Sequence, residues 1–211
     1  MVLLSILSCT LAVGAAAQTI ASYTEPKSGI TVQAYQSPTF TFGLALPTTP
    51  KADFIGVLVG QGSGYAGISL GGAMTNELLI AAWPNGNSVL ASFRETPKYG
   101  SPPVVTGTYS MIPIANGTYV NSTHYTYTFL CRGCILADGT TFTATSANAV
   151  LGYAYSTKAP TTKANVTTAF SKHDTQGNFG FDLTATKTAS YDVWAQYAKN
   201  VTNSVKVAFR A

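Results

Sequence analysis

Alternation of apolar and polar residues over short runs is the feature that most restricts the fold of this chain. It is clearest in residues 39–46 (TFTFGLAL) and 124–129 (HYTYTF). Such alternation predicts β-strands with one buried side and one solvent-facing side. Glycine, proline and asparagine separate the runs at the spacing typical of a sandwich or a barrel, so the sequence predicts an all-β protein.

The secondary structure can be predicted in outline from this pattern. We predict strands at 30–35, 39–46, 54–60, 65–70, 78–83, 88–93, 104–112, 123–131, 140–145, 149–156 and 178–183. The dipeptide Asn85-Gly86 separates two of these runs and predicts a tight hairpin turn. One helix is predicted within 187–199, with one shared face formed by Val193, Trp194, Tyr197 and Ala198.

The amino-terminal residues indicate export. Residues 1–17 are apolar and uncharged and end in three alanines, which is typical of a secretory signal peptide. The remainder, 18–211, is long enough for one domain with its own core. No later stretch is long and apolar enough to span a bilayer, so we expect a secreted, extracellular protein with no membrane contact. Four sequons predict glycosylation at the surface: Asn116, Asn121, Asn165 and Asn200.

Two cysteines remain once Cys9 is assigned to the signal peptide. The spacing of Cys131 and Cys134 is compatible with a redox dithiol, half a zinc site or a disulfide. The exported context favours a short structural disulfide. Ile135 follows the second cysteine where covalent c-type haem attachment requires histidine, so any haem would be held non-covalently.

Charge and motif content exclude several functions. The net charge of +4 comes from lysines and arginines scattered along the chain, which offers no basic cluster for nucleic acid. The sequence has two histidines, too few for a three-histidine zinc site. We therefore expect no catalytic site of its own.

Three residues remain as candidate ligands. Met74 follows Gly71 and Gly72 and precedes an apolar strand. Its thioether could fill a gap in the core, or it could face a flat ligand that the glycines allow to come close. His173 lies in a polar loop and is compatible with either a surface histidine or a ligand. His124 is interpreted as an exposed imidazole at the start of a strand.

Three segments resemble the cytochrome domain of fungal cellobiose dehydrogenases. Residues 71–87 (GGAMTNELLIAAWPNGN) are similar to that family's haem methionine segment, and residues 129–134 (FLCRGC) to its disulfide segment. Residues 170–174 (FSKHD) are similar to its haem histidine segment. The three segments occur in the family's order and at comparable separations, and 121–124 (NSTH) extends the resemblance. The segment 98–100 matches a family tyrosine that lies beside a haem propionate.

The resemblance implies an immunoglobulin-like antiparallel β-sandwich that binds haem b. It also implies that Met74 and His173 are the axial ligands, that Tyr99 lies beside a propionate, and that Cys131 and Cys134 form a disulfide. A thioether opposite an imidazole stabilises ferrous iron and raises the reduction potential. Because both axial positions are filled, oxygen binding is discouraged, which suits an electron carrier.

By the same resemblance, the chain is a one-electron carrier that acts as a monomer. The implied donor is a flavin dehydrogenase, and the implied acceptor is a copper polysaccharide monooxygenase or another extracellular acceptor. The 211 residues contain no flavin domain, so we do not expect sugar oxidation from this chain itself. The alternative is a carbohydrate-binding β-sandwich module of plant cell-wall degradation, which the 12 tyrosines could serve.

Overall fold

The computed structural model describes residues 20–198; the predicted signal peptide (1–17) and Asn200 lie outside this range. Its strands are β1 (Ile20–Thr24), β2 (Thr31–Gln36), β3 (Phe40–Pro47), β4 (Phe54–Gln61), β5 (Tyr65–Ser69), β6 (Leu79–Asn85), β7 (Ser88–Arg94), β8 (Ser110–Pro113), β9 (Tyr119–Val120), β10 (His124–Arg132), β11 (Asn148–Ser156), β12 (Thr175–Asp182) and β13 (Lys187–Thr188). A short 3-10 helix spans Ala115–Gly117, and α1 spans Tyr191–Tyr197.

The strands form two sheets packed face to face. The eight-stranded sheet has the order β1-β2-β3-β4-β10-β8, with β13 beside β3 and β9 beside β10. The five-stranded sheet has the order β12-β11-β5-β6-β7. All named pairings in the described residues are antiparallel except the two-residue pairing of β13 with β3. The predicted all-β antiparallel sandwich is therefore confirmed.

The core lies between the two sheets and is rich in aromatic rings. Phe42 and Phe129 of the eight-stranded sheet and Leu151 of the five-stranded sheet have no solvent exposure. Full burial of side chains of this size stabilises the fold by about 1.5–3 kcal/mol each. The hydroxyl of buried Tyr125 donates to the carbonyl of Ala82 at 3.1 Å, so a polar group from one sheet is satisfied by the other.

Most predicted strands form within one or two residues of the expected positions. The Asn85-Gly86 hairpin is confirmed, because Asn85 pairs with Ser88 and Gly86 has a φ of +61°. Strand β12 begins earlier than predicted, at Thr175. Strand β1 was not predicted, since it is an edge strand whose side chains are mostly exposed and show no alternation.

Two strand predictions were wrong in whole or in part. Residues 140–145 form no strand, because their backbone bonds go to loop 70–78 and to a local turn. The amide of Phe142 donates to the carbonyl of Leu70 at 2.7 Å, the amide of Leu78 donates to the carbonyl of Thr140 at 3.0 Å, and the amide of Ser146 donates to the carbonyl of Thr143 at 3.1 Å. These residues instead brace both ends of loop 70–78. Of the predicted strand 104–112, only the end forms β8, while Val104 makes an isolated bridge with Arg94.

The predicted helix is shorter and rotated about its axis. Tyr191, Trp194 and Ala198, at intervals of three and four, face the outer side of the eight-stranded sheet. Val193 and Tyr197 were predicted to share that face but are 58% and 36% exposed. The helix is rotated so that Tyr191, rather than Val193, packs against the sheet. No helix within residues 20–198 is long and apolar enough to cross a membrane.

Candidate functional site

The outer face of the five-stranded sheet lies between the two segments that carry the predicted ligands. Side chains alternate along each strand, and directly paired residues point to the same side. Since Leu151 and Ile68 point into the core, their neighbours along β11 and β5 point outward. The outward positions include Tyr65, Gly67, Ser69, Leu79, Ala81, Trp83, Leu90, Ser92, Arg94, Val150, Gly152, Ala154, Gln176, Asn178 and Gly180.

The middle of this outer face is made of small residues. Gly67 of β5 pairs with Ala154 of β11, and both remain partly exposed although their strands lie inside the sheet. A Cβ atom placed on Gly67 would meet nothing closer than the carbonyl oxygen of Ile80, at 3.5 Å. We call this pair the floor. It is a flat, open surface that a side chain at position 67 would obstruct.

The Met74 loop (70–78) covers one end of the floor. The carbonyl of Gly72 lies directly against Gly152, so closely that a Cβ atom there would collide with it. The amide of Gly72 donates to the hydroxyl of Ser69 at 3.0 Å, and the side-chain amide of Asn178, in the orientation its neighbours require, donates to the Gly72 carbonyl at 3.1 Å. Met74, which is half-exposed, therefore lies two residues beyond an anchored crossing of β11.

The two glycines before Met74 make close contacts within the protein itself. Gly72 adopts a φ of +99°, which favours glycine. A Cβ atom on Gly71 would collide with the carboxylate of Glu77. One oxygen of that carboxylate is buried without a hydrogen-bond partner, and burial, followed by the charge of Asp138, raises the pKa of Glu77. The glycines thus shape the loop that presents Met74.

The His173 segment (170–174) borders the other end of the floor. The amide of Asp174 donates to the carbonyl of Tyr155 at 2.8 Å, and the Asp174 carboxylate accepts hydrogen bonds from the amide and hydroxyl of Thr157 at 2.6 and 2.7 Å. On the other side of His173, the hydroxyl of Tyr65 donates to the carbonyl of Ser171 at 2.6 Å. His173 is therefore held between two fixed neighbours.

The environment of His173 favours its neutral form. Burial lowers the pKa of the imidazole, Lys172 lowers it further, and Asp174 acts in the opposite direction. Burial disfavours a charged imidazole because the ion loses its hydration. A neutral imidazole is the form that binds a metal ion.

The strand register places the anchors of the Met74 loop and of the His173 segment on opposite sides of the floor. Along β11, Gly72 of the Met74 loop contacts Gly152, two residues before Ala154 of the floor. Asp174 bonds to Tyr155 and Ser156, just after Ala154. Four residues of strand span about 13 Å. The two segments therefore approach the same open surface from its two ends, as a ligand held between their side chains would require.

The loop that carries Tyr99 (95–103) links the two segments. The amide of Asn76 donates to the carbonyl of Thr96 at 2.9 Å, and the amide of Phe170 donates to the hydroxyl of Ser101 at 2.9 Å. Tyr99 lies between these two connections and is 83% exposed. Its contact with a propionate stays a prediction.

Four site residues were not predicted from the sequence. Phe170 packs against Tyr65 and Trp83 with ring centroids 4.5 and 5.3 Å apart, and the guanidinium of Arg94 lies 4.6 Å from its centroid. Strand alternation could have indicated two of them, because Tyr65 and Trp83 occupy outward positions on strands that were predicted. Arg94 is the single charged residue that ends the apolar strand β7.

The other predicted residues lie elsewhere. His124 begins β10 in the eight-stranded sheet, half-exposed, and contacts Asn121 and Thr123. Cys131 and Cys134, also on that sheet side, form the predicted disulfide. The sequon asparagines inside the described range are exposed, namely Asn116, Asn121 and Asn165. Their glycosylation stays a prediction.

Exposed aromatic rings give little support to the carbohydrate-binding alternative. Among the tyrosines of residues 20–198, only Tyr99 and Tyr197 are exposed. Tyr99 lies beside the five-stranded sheet, whereas Tyr197 lies on α1 against the other sheet. Two rings on opposite sides of the sandwich cannot form one stacking platform.

Comparison with known proteins gives consistent matches. A model of the family described as the cytochrome domain of cellobiose dehydrogenase matches residues 23–193. The pyrroloquinoline quinone-dependent pyranose dehydrogenase of Coprinopsis cinerea is 31% identical over 151 residues, which make up 70% of this chain and 20% of that protein. The chain thus spans about a fifth of this curated relative.

Two solved structures share the fold. The cytochrome domain of Myriococcum thermophilum cellobiose dehydrogenase is 34% identical, with a TM-score of 0.76 over 86% of this chain and 97% of that one. The crystal structure of the cytochrome b domain of pyranose dehydrogenase from Coprinopsis cinerea is 25% identical, with the same TM-score and the same coverage.

Proposed function

The chain belongs to the family of cytochrome domains of cellobiose dehydrogenase, and we propose that it is an extracellular one-electron carrier that binds one haem b over the floor. The observation that supports this most directly is that the segments carrying Met74 and His173 are anchored at the two ends of one open surface of small residues. A thioether and a neutral imidazole complete the coordination of an iron that already has four porphyrin nitrogens.

The residues present fit a flat ligand. Packing within the sandwich does not require a glycine at position 67, because a Cβ atom there would meet no close neighbour. When bound, haem supplies a centre that gains and loses one electron. The chain's own residues would hold and orient it: His173 and Met74 at the iron, the floor beneath the ring, and Tyr99 at the propionate edge.

We predict that Gly67→Val prevents haem binding without weakening the fold. Valine suits a strand and finds open space here, so the free energy of unfolding of the haem-free protein should stay within about 1 kcal/mol of wild type. Haem affinity should fall by at least about tenfold, because the side chain occupies the ring's position. Haem titration followed by absorbance and chemical unfolding measure the two effects.

Ala21→Val is the matched control, since it adds volume to an exposed position on β1 of the other sheet. It should leave both quantities unchanged. Normal haem affinity in Gly67→Val would show that the floor is not the binding surface.

The electron donor proposed for this carrier is a sugar dehydrogenase, and the proposed acceptor is a copper polysaccharide monooxygenase. The relatives are domains of dehydrogenases, one of which carries pyrroloquinoline quinone in its name. A donor assay therefore needs a flavin dehydrogenase in one arm and a quinone dehydrogenase in the other. Docking at the exposed Tyr99 edge would form a small, transient interface, below about 1,200 Å².

Reduction by the dehydrogenase is expected to be second order and only moderately sensitive to salt. The charged residues on the segments that border the floor nearly balance, with four lysines (Lys98, Lys158, Lys163 and Lys172) and three carboxylates (Glu77, Glu95 and Asp174). Strong charge steering raises association rates by roughly 10- to 1,000-fold, so a balanced edge should change its rate less than about tenfold with ionic strength. Stopped-flow mixing at low and high salt measures this, with dithionite reduction as the control for a competent haem.

A rate that falls by orders of magnitude with salt would mean that charge steering governs docking. Failure of both dehydrogenase classes to reduce a dithionite-reducible haem would contradict the carrier role.

A further inference from the structure

Arg94 is a fully buried cation on the outer face of β7. It is 1% exposed, and its guanidinium makes four hydrogen bonds. Three of them go to backbone carbonyls, those of Pro102 at 2.8 Å, Thr168 at 3.0 Å and Val166 at 2.5 Å. The fourth goes from Nε to the hydroxyl of Ser92 on the same strand, at 2.8 Å. The side chain is therefore fixed along its strand and directed at two loops.

Those two loops carry predicted haem contacts. Pro102 belongs to loop 95–103, which carries Tyr99, and Val166 and Thr168 belong to the loop that leads into His173. The same guanidinium lies 4.6 Å from the ring of Phe170, three residues before His173. Arg94 thus connects both loops to the five-stranded sheet through a single side chain.

Carbonyl oxygens rather than a carboxylate surround this cation. Within residues 20–198, the one ion pair with a nitrogen–oxygen distance below 4.0 Å joins Lys51 and Asp192, which lie far from β7 in the sequence. Burial lowers the pKa of Arg94 to about 10, so the group remains charged near neutral pH. Burying a cation without an anion is costly unless its hydrogen bonds are well made. An arginine in this position is therefore expected to have a specific role.

We infer that Arg94 is the positioning residue for the histidine side of the haem site, clamping the Tyr99 loop and the loop that leads into His173 onto β7 so that the imidazole faces the floor. This inference rests on the proposed function. A planar guanidinium can donate in several fixed directions at once, whereas a lysine ammonium on a flexible stem cannot reproduce that arrangement. The geometry, and not only the charge, should matter.

The test compares haem-loaded Arg94→Lys and Arg94→Met with wild type. Both variants should lose the six-coordinate spectrum in a substantial fraction of molecules and release haem at least about tenfold faster, in line with losses seen when groups behind metal ligands are removed. Added imidazole should restore the six-coordinate spectrum, because it replaces the displaced His173. Arg132→Met is the matched control, since Arg132 is exposed at the end of β10, and it should behave as wild type.

The outcomes separate this inference from the proposed function. A wild-type protein that binds no haem would contradict the proposed function. A six-coordinate wild type with unchanged Arg94 variants would overturn the positioning role alone. If the Arg94 variants do not fold, Phe170→Leu removes the ring under the guanidinium: weakened histidine coordination supports the clamp, and unchanged coordination overturns it.

Discussion

Replacing His173 with alanine is expected to abolish stable haem binding. Without the imidazole, the iron keeps one thioether, which is a weak donor to ferric iron. Removal of groups that only support a metal ligand already lowers metal affinity by about 10- to 100-fold, so loss of the ligand itself should exceed about 100-fold. Haem titration of the apoprotein, followed by the Soret band, measures the loss directly.

The other histidine of the described residues provides the control. His124→Ala removes an imidazole from the opposite sheet, where it contacts only Asn121 and Thr123 among its hydrogen-bond partners. Haem affinity should be unaffected. Equal affinities for wild type and His173→Ala would exclude His173 as a ligand.

Replacing Met74 with histidine should keep a six-coordinate haem but lower its reduction potential. Imidazole donates more strongly to ferric iron than a thioether does, so it stabilises the oxidised state. Axial ligands set haem potentials over a range of about 0.8 V, and a decrease on the order of 0.1–0.2 V is expected for this exchange. Spectroelectrochemical titration gives the potential, and the visible spectrum reports the coordination number.

Met111→Leu is the matched control for Met74→His. Met111 is the other methionine of the described chain and lies buried in β8, where a substitution of similar volume is tolerated. Its potential should equal that of wild type. An unchanged potential in Met74→His would rule out the methionine as an axial ligand.

Features that depend on neighbouring residues were predicted well from the sequence. The alternation in 39–46 predicted β3, and Asn85-Gly86 predicted the β6–β7 hairpin, because side-chain alternation and turn geometry act over a few residues. The buried face of α1 was predicted wrongly, because Tyr191, which anchors α1 to the sheet, lies at the edge of the apolar pattern that was used to place that face.

The arrangement of the site depends on contacts between distant parts of the chain. Gly72 rests on Gly152, and Arg94 bonds to Val166 and Thr168, so neither contact has a local sequence signal. The resemblance implied that Met74 and His173 are the ligands, but it could not show which surface lies between the segments that carry them. The role proposed for Gly67 depends on the pairing of β5 with β11, since strand alternation and register decide which face of the sheet it occupies.

If Met74 and His173 together bind one haem, the absorption spectrum of the haem-loaded wild-type protein should show it. We expect sharp α and β bands after reduction, and a weak near-infrared band from a thioether bound to ferric iron that disappears in Met74→His. A protein that takes up no haem, or one whose spectrum is five-coordinate in both oxidation states, would contradict it.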